Sequence, residues 1–507
     1  MKTEFLKALQ KIMGSERVTV DQTNRHLYCR DMMTGSLLEL KAGHQPHLPD
    51  IICWPENVRE ISQVLKTANR FRIPVIPFGG GSGVSGGTLP LHGGLIIDLK
   101  RMNRIEKIDG PFLKGIPHYR ATAQSGILGE HLESQLNRKG FTLGHFPSSI
   151  LCATLGGYLA ARSAGQLSSR YGKIEDMVEA IEAVLPSGQI ISFDGRIRDY
   201  KSALPRDLLV GTEGTLGIIT RARLKIYPKA PAARYRGISF NQIPHALTAI
   251  REIMQSGLRP SVIRLYDPLD TLLLQFGYET GNRTFPKKIG KLLGPLKNNL
   301  FHLLIRNPLL PQKIFSLIPS DALLILGFEG DANLIEEQEK KAIEICNHQL
   351  AKDEGEGPGR HWLKHRYSVS FKMPDLIEKG CFVDTIEVAA TWDKLLTLYH
   401  KVRATLEKYC LVLAHFSHAY PEGCSIYFTV VGQTASREKD YETYQTIWNR
   451  AMENCLEAGG TISHHHGIGL LKSKWMPREL GEGLKFFQAM KKKLDPNGIM
   501  NPGKMGL

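Results

Sequence analysis

From residue 48 onward the apolar positions of this chain alternate between short unbroken runs and helical stripes. Ile51-Ile-Cys-Trp54 is a short run of strand character, Val58, Ile61, Leu65 and Ala68 recur at helical spacing, and Ile73-Pro-Val-Ile-Pro77 is a second run. A helix buries one stripe of side chains, whereas a buried strand takes a continuous apolar run, so this order predicts a β-α-β unit. The unit delivers the chain to the glycine-dense stretch Pro77-Phe-Gly-Gly-Gly-Ser-Gly-Val-Ser-Gly-Gly-Thr88, after which Gly94-Leu-Ile-Ile-Asp-Leu99 reads as another strand. Tyr119 to Ala123 is strand-like, Leu128 to Lys139 is helix-like and closed by Gly140, and Val178 to Ile191 reads as a hairpin turning at Pro186-Ser-Gly188. Residues 1 to 46 give an amphipathic helix and a polar segment. From Ala230 to about 485 strands alternate with longer helices, among them Asn333 to Lys352 and Trp392 to Tyr409, with Leu324 to Asp331 and Ser425 to Val431 strand-like by length and β-branching.

Composition narrows the class. At 507 residues the chain exceeds one compact core and predicts two or three structural units. Lys and Arg exceed Asp and Glu by 65 to 50, a net charge of +15 that favours anionic partners such as phosphorylated or carboxylate small molecules and lipids. No basic helix with interleaved aromatic residues and no zinc-finger spacing occurs, which argues against nucleic acid. The eight cysteines are scattered without C-x-x-C spacing, the pattern of reduced thiols in an intracellular protein. Met1 to Gln10 has its apolar residues interrupted by charge, unlike a signal peptide, and no apolar run reaches membrane-spanning length. The expectation is a cytoplasmic protein, with peripheral attachment to a membrane face left open. That attachment would use the insert 285–319, where Lys287, Lys288, Lys291, Lys297, Arg306 and Lys313 stand without any acidic residue among apolar positions. An amphipathic helix pair with solvated lysines has the same pattern.

The glycine-dense stretch carries the first chemical signal. Six glycines, Gly79, Gly80, Gly81, Gly83, Gly86 and Gly87, leave backbone N–H groups open to close approach by a pyrophosphate. Gly81 to Gly86 satisfies G-x-G-x-x-G, yet a dinucleotide fingerprint must open a helix directly, and here the chain runs into Gly87-Thr-Leu-Pro90 and another strand. Small and hydroxyl residues gather again in Gly144-His-Phe-Pro-Ser-Ser-Ile-Leu-Cys-Ala-Thr-Leu-Gly-Gly157, before a helix-like stretch from Tyr158 to Ala164, and in Val210-Gly-Thr-Glu-Gly-Thr-Leu-Gly-Ile-Ile-Thr220. The middle of these fits a cofactor edge or a tight helix crossing equally well.

Gly460-Thr-Ile-Ser-His-His-His-Gly-Ile-Gly469 is the second signal. Three consecutive imidazoles are expensive to bury, which predicts an exposed polar setting. A metal site with His415 and His418 is conceivable, but adjacent residues on an extended strand point to opposite faces, so proton transfer is the more natural role.

The ordered succession PFGGGSGVSGG, PSSILCATLGG and GTEGTLGIIT resembles the FAD-binding domain of the vanillyl-alcohol oxidase family, the PCMH type, over residues 47–229. The resemblance implies an α+β protein: residues 1–46 as an N-terminal helical segment, a two-subdomain FAD-binding domain, an α+β substrate-binding cap at 230–485, and a return to the FAD domain at 486–507. It implies FAD contacts at Pro77, Phe78, Gly79, Gly80, Gly81, Ser82, Gly83, Ser148, Ser149, Thr154, Arg162, Ser163, Glu213, Gly214, Thr215, Leu216, Gly217 and Ile219. Ser-His-His-His-Gly-Ile-Gly, together with Ala419-Tyr-Pro-Glu-Gly-Cys-Ser-Ile-Tyr427, resembles the alkyldihydroxyacetonephosphate synthase branch. That branch implies proton handling by Tyr427, His464, His465 and His466, a site arginine at Arg264 in Ser261-Val-Ile-Arg-Leu-Tyr-Asp267, and exchange of an acyl group for a fatty alcohol in ether lipid synthesis. Arg264 suits phosphate and equally suits a brace for Asp267. Where the branch has a substrate-binding arginine this chain reads Ser370-Phe-Lys-Met-Pro-Asp375, so Lys372 takes the charge without the bidentate geometry. The alternative is an FAD-linked oxidase or dehydrogenase of a 2-hydroxy acid or alcohol. A homodimer is left open.

Overall fold

The computed structural model describes residues 2–111, 118–193, 207–277, 305–307, 320–368 and 373–507. The chain forms two compact units. The first comprises Met1–Lys229 and Ser463–Leu507, and the second Ala230–Ile462. The chain therefore leaves the first unit once and returns to it, and residues 463–485 belong with the first unit.

The first unit holds two sheets. Strands β1 (Val18–Thr19), β2 (Ile51–Cys53), β3 (Val75–Phe78) and β4 (Leu95–Asp98) pair in the order β1-β2-β4-β3, with β2, β4 and β3 parallel. The helix Val58–Phe71 crosses between β2 and β3 and shows why the local sequence folds as it does. Asn57 caps its start by accepting from the Glu60 N–H, Ile61, Val64, Leu65 and Ala68 are fully buried, and Arg72 ends it in the left-handed region at φ 53°. This is the predicted β-α-β unit. The edge of β3 is completed by the far end of the chain: Val75 pairs with Met500, with Val75 N–H donating to Ile499 O at 2.7 Å and Asn501 N–H to Val75 O at 2.8 Å. Phe5, Leu9 and Met13 of the first helix pack into the same core.

The second sheet runs β5 (Ile105–Asp109), β6 (Tyr119–Gln124), β10 (Ile218–Pro228), β8 (Val178–Val184) and β9 (Ile190–Phe193), with β7 (Phe141–Thr142) pairing β10. The hairpin of β8 and β9 turns through Gly188 at φ 80°, as the Pro-Ser-Gly triplet predicts.

The second unit is built on a seven-stranded, wholly antiparallel sheet, ordered β14 (Lys352–Gly355), β11 (Ala232–Phe240), β13 (Ala322–Gly330), β12 (Val262–Tyr266), β16 (Leu411–Ala419), β17 (Gly423–Gly432) and β15 (Phe382–Thr391). Its alternation sorts the faces. Leu265, Phe416, Ile426 and Val388 on one face are fully buried, while Arg264, Tyr266, His415, Ser417, Ser425, Tyr427 and Glu387 occupy the other. The insert 285–319 lies outside the described residues except for 305–307. Among the described residues no helix is long and apolar enough to cross a membrane.

Candidate active site

In the first unit the glycine loop after β3 and the segment 148–157 meet backbone to backbone. A Cβ at Gly80 would lie 1.8 Å from the Cys152 carbonyl oxygen, and one at Gly79 would lie 2.3 Å from Thr154 Oγ1. Gly81 at φ 62° and Gly86 at φ 75° take conformations costly for other residues. Thr154 caps the helix Leu155–Ala161, accepting from the Gly157 N–H at 3.2 Å, so that helix starts earlier than the predicted Tyr158. Ser149 O accepts from the N–H groups of Cys152 and Ala153, and Ser148 Oγ accepts from Gln166 at 3.4 Å. Arg162, at φ 53°, donates to Val210 O at 3.1 Å and so ties the helix end to the third motif. Ser163 Oγ lies 2.7 Å from Nε2 of His145. Lys100 at the end of β4 donates to Gly79 O at 2.9 Å and lies 5.1 Å from the Phe78 ring centre, so it braces the Pro77 to Gly83 loop.

The third motif ties the glycine loop to the chain's return. Glu213, at φ 50°, accepts from the N–H groups of Ile468 (2.6 Å) and Gly469 (2.8 Å), while Asn501 donates to both Glu213 O and Gly87 O. Burial pushes the Glu213 carboxyl up to about 7 against these bonds and the nearby Lys472 and Lys504. Burial likewise lifts Asp31 to about 6 and lowers Lys504, which donates to Leu89 O, to about 8. Gly214 packs on Pro77, Thr215 O accepts from Lys491, and Leu216, Gly217 and Ile219 run into the buried start of β10. Thus the Glu213 side chain holds the Ile468-Gly469 segment that directly follows the three histidines.

The three histidines differ from expectation. His465 is buried and His464 and His466 are half-buried, in an irregular segment rather than a strand. His464 and His465 bond each other, Nδ1 of His464 lying 2.9 Å from Nδ1 of His465, and adjacent rings stand edge to face at 5.1 and 4.7 Å. Ser85 Oγ donates into the carbonyls of His466 and Gly467 at 3.1 and 3.2 Å, fixing the loop to the glycine stretch. His145, which the sequence reading passed over, is also buried. Burial, reinforced by His465, holds its pKa down to about 3, and its Nδ1 has no protein partner among the described residues.

This cradle fits FAD. Glycines that admit no side chain, left-handed turns, and a buried imidazole nitrogen without a protein partner among the described residues suit a pyrophosphate and a heteroaromatic edge.

The second unit carries a different polar cluster. Tyr266, His415, Tyr427 and Glu387 stand at one register across β12, β16, β17 and β15. The rings of His415 and Tyr427 stack at 4.6 Å and 17°. Arg264 donates to Nε2 of His415 at 2.8 Å and lies 5.1 Å from the Tyr266 ring centre, while its Nε has no protein partner among the described residues. Asp267 instead takes Arg403 and Tyr399, so Arg403 rather than Arg264 braces it. Asp270 Oδ2 lies 3.6 Å from Nδ1 of His415, and burial pushes its carboxyl up to about 7. Burial and then the Glu387 carboxylate drive the Tyr427 phenol well above its ordinary range, and burial and then Arg264 hold His415 well below its own. His418 Nε2 lies 3.0 Å from the Tyr427 hydroxyl. The sequence brought His415 and His418 forward only as metal candidates, although the spacing His415-Phe-Ser-His418 just before Tyr427 is visible in it. Lys372 lies outside the described residues.

A mostly parallel sheet and an antiparallel sheet behind glycine loops, with a C-terminal return, fit an FAD-dependent flavoprotein enzyme of the PCMH type, and the family matches show that class. The chain belongs to the FAD-linked oxidases: the model of the FAD linked oxidases C-terminal domain matches residues 229–505, and that of an FAD binding domain matches 49–194. It is 30% identical to an alkyldihydroxyacetonephosphate synthase of Trypanosoma brucei brucei over all of this chain and 81% of that one. It is 27% identical to the glycolate oxidase subunit GlcD of Bacillus subtilis (strain 168), over 90% and 89% of the two chains. A solved alkyldihydroxyacetonephosphate synthase superposes with a TM-score of 0.76 at 26% identity, covering 99% of this chain and 84% of that one.

Proposed function

We propose that this enzyme exchanges the acyl group of acyl-dihydroxyacetone phosphate for a fatty alcohol, the step that makes an ether lipid precursor. The observation that carries the reading is the polar row of the second unit, where a neutral phenol is flanked by two imidazoles, one stacked and one within hydrogen-bond distance. Such a phenol exchanges protons without standing as a buried anion. Tyr427 removes the proton from the carbon bearing the acyl oxygen, and His464, His465 and His466 serve the protons of the departing acid and arriving alcohol. Arg264 and Lys372 hold the phosphate, a role supported at Arg264 by an Nε–H that has no protein partner among the described residues. Bound FAD supplies an electron-deficient ring system able to exchange an electron pair with the substrate carbon. The full-length similarity to synthases supports this assignment.

The second reading is oxidation of a 2-hydroxy acid or alcohol, favoured by the similarity to a glycolate oxidase subunit. Anaerobic mixing separates the two. Label from a fatty alcohol entering an ether product, with the flavin oxidised afterwards, supports the exchange. Bleaching by D-2-hydroxy acids, with no labelled ether, replaces it with the oxidation.

A further inference from the structure

Tyr427 needs somewhere to send its own proton, and the two imidazoles beside it are not equivalent. His415 meets the phenol with its ring face, and its Nε2 lone pair is already taken by the Arg264 guanidinium, which is always a donor. His418 meets the hydroxyl with a ring nitrogen. Strand alternation would have sent His418 to the face opposite His415 and Ser417. Instead the pairing of β16 with β17 shifts register between Ser417 and Ala419, and His418 takes φ 57°, a left-handed conformation costly for a non-glycine residue. That irregularity turns a buried histidine toward Tyr427. The other charged or titratable groups acting on the phenol are Glu387 from β15, Arg264 from β12 and Tyr420, with Asp270 behind His415.

We propose that His418 is a positioning residue that stores the Tyr427 proton during turnover, an inference that rests on the reading of Tyr427 as the group exchanging a proton with substrate. As the substrate C–H bond breaks, its proton goes to the Tyr427 oxygen and its electron pair stays with the substrate. The original Tyr427 O–H breaks in the same step and its proton forms the Nε2–H bond of His418. The phenol remains neutral, and the positive charge on His418 balances the negative charge left on the substrate. The reverse transfer reloads the pair.

The test uses FAD-loaded full-length enzyme and whichever substrate the wild type consumes, acyl-dihydroxyacetone phosphate with a fatty alcohol or a D-2-hydroxy acid. His418→Gly suits the positive φ and leaves room for a small base. It is expected to lose about 100-fold in kcat with KM nearly unchanged. Added imidazole is expected to restore the rate saturably, with a pH dependence following the free imidazole, while His418→Asn, which tolerates the same backbone, is slow and is not rescued. Wild-type kcat and pH profile in His418→Gly, alongside an inactive Tyr427→Phe, overturns the store and leaves the Tyr427 reading standing. A fully active Tyr427→Phe overturns that reading and the store with it. Should His418→Gly lose its flavin, His418→Asn decides by the same kcat comparison.

Discussion

The two units solve the problem of holding chemistry in opposite ways. The first builds its cradle from backbone: Gly79 and Gly80 approach Thr154 and Cys152 so closely that side chains are excluded, and Glu213 and Asn501 stitch the C-terminal return beneath it. The second builds its cluster from side chains on an ordinary antiparallel sheet, where register alone aligns Tyr266, His415, Tyr427 and Glu387. The difference teaches that cofactor retention and proton transfer fail separately. A change in the cradle should remove FAD, and a change in the row should leave FAD bound to an idle enzyme.

The sharpest break of that comparison is Gly80→Val, whose added atoms run into the Cys152 carbonyl. It is expected to abolish flavin retention, read as the visible absorbance per protein after purification, with unchanged helix content by circular dichroism. Tyr427→Phe is expected to do the converse, keeping a full flavin spectrum while turnover drops by about 10³-fold. Arg264→Lys keeps the charge but loses the planar fork that grips His415, and about a tenfold rise in KM for a phosphorylated substrate is expected, measured by initial rates.

How much of this was legible follows from the same contrast. The glycine loops and the helix Val58–Phe71 are written locally, in glycine punctuation and a 3.6-residue stripe, so the sequence showed them directly. The row is not local. Residues 266, 387, 415 and 427 meet through strand pairing across more than 150 positions, and nothing in their neighbourhoods announces it. His418 is harder still, because the register shift that turns it toward Tyr427 reverses what alternation predicts. The three histidines read as exposed because a sequence cannot show that neighbouring rings and Ser85 satisfy that loop from within. We propose that the basic insert 285–319 contacts an anionic membrane face; retention on anionic liposomes that a variant lacking 285–319 loses would support this, and equal retention by both would refute it.

The smallest expected effect is a pH dependence of stability in the first unit. Glu213 has an ordinary carboxyl value of 4.5 and a folded value of about 7. Between those values the folded protein keeps a proton that the unfolded chain has released. Its contribution is therefore complete below 4.5 and is lost as pH rises through 7, on the order of 3 kcal/mol at most. Urea titrations at pH 5 and pH 7.5 should show the wild type losing more stability across that interval than Glu213→Gln; equal losses would place the proton elsewhere.

The central claim, that Tyr427 moves the substrate proton, is tested most directly in heavy water without any alcohol. Acyl-dihydroxyacetone phosphate is incubated with FAD-loaded enzyme, and deuterium entering the carbon that bears the acyl oxygen is followed by NMR. The account predicts exchange with the wild type and none above background with Tyr427→Phe at the same flavin content. Equal exchange by both proteins would contradict it.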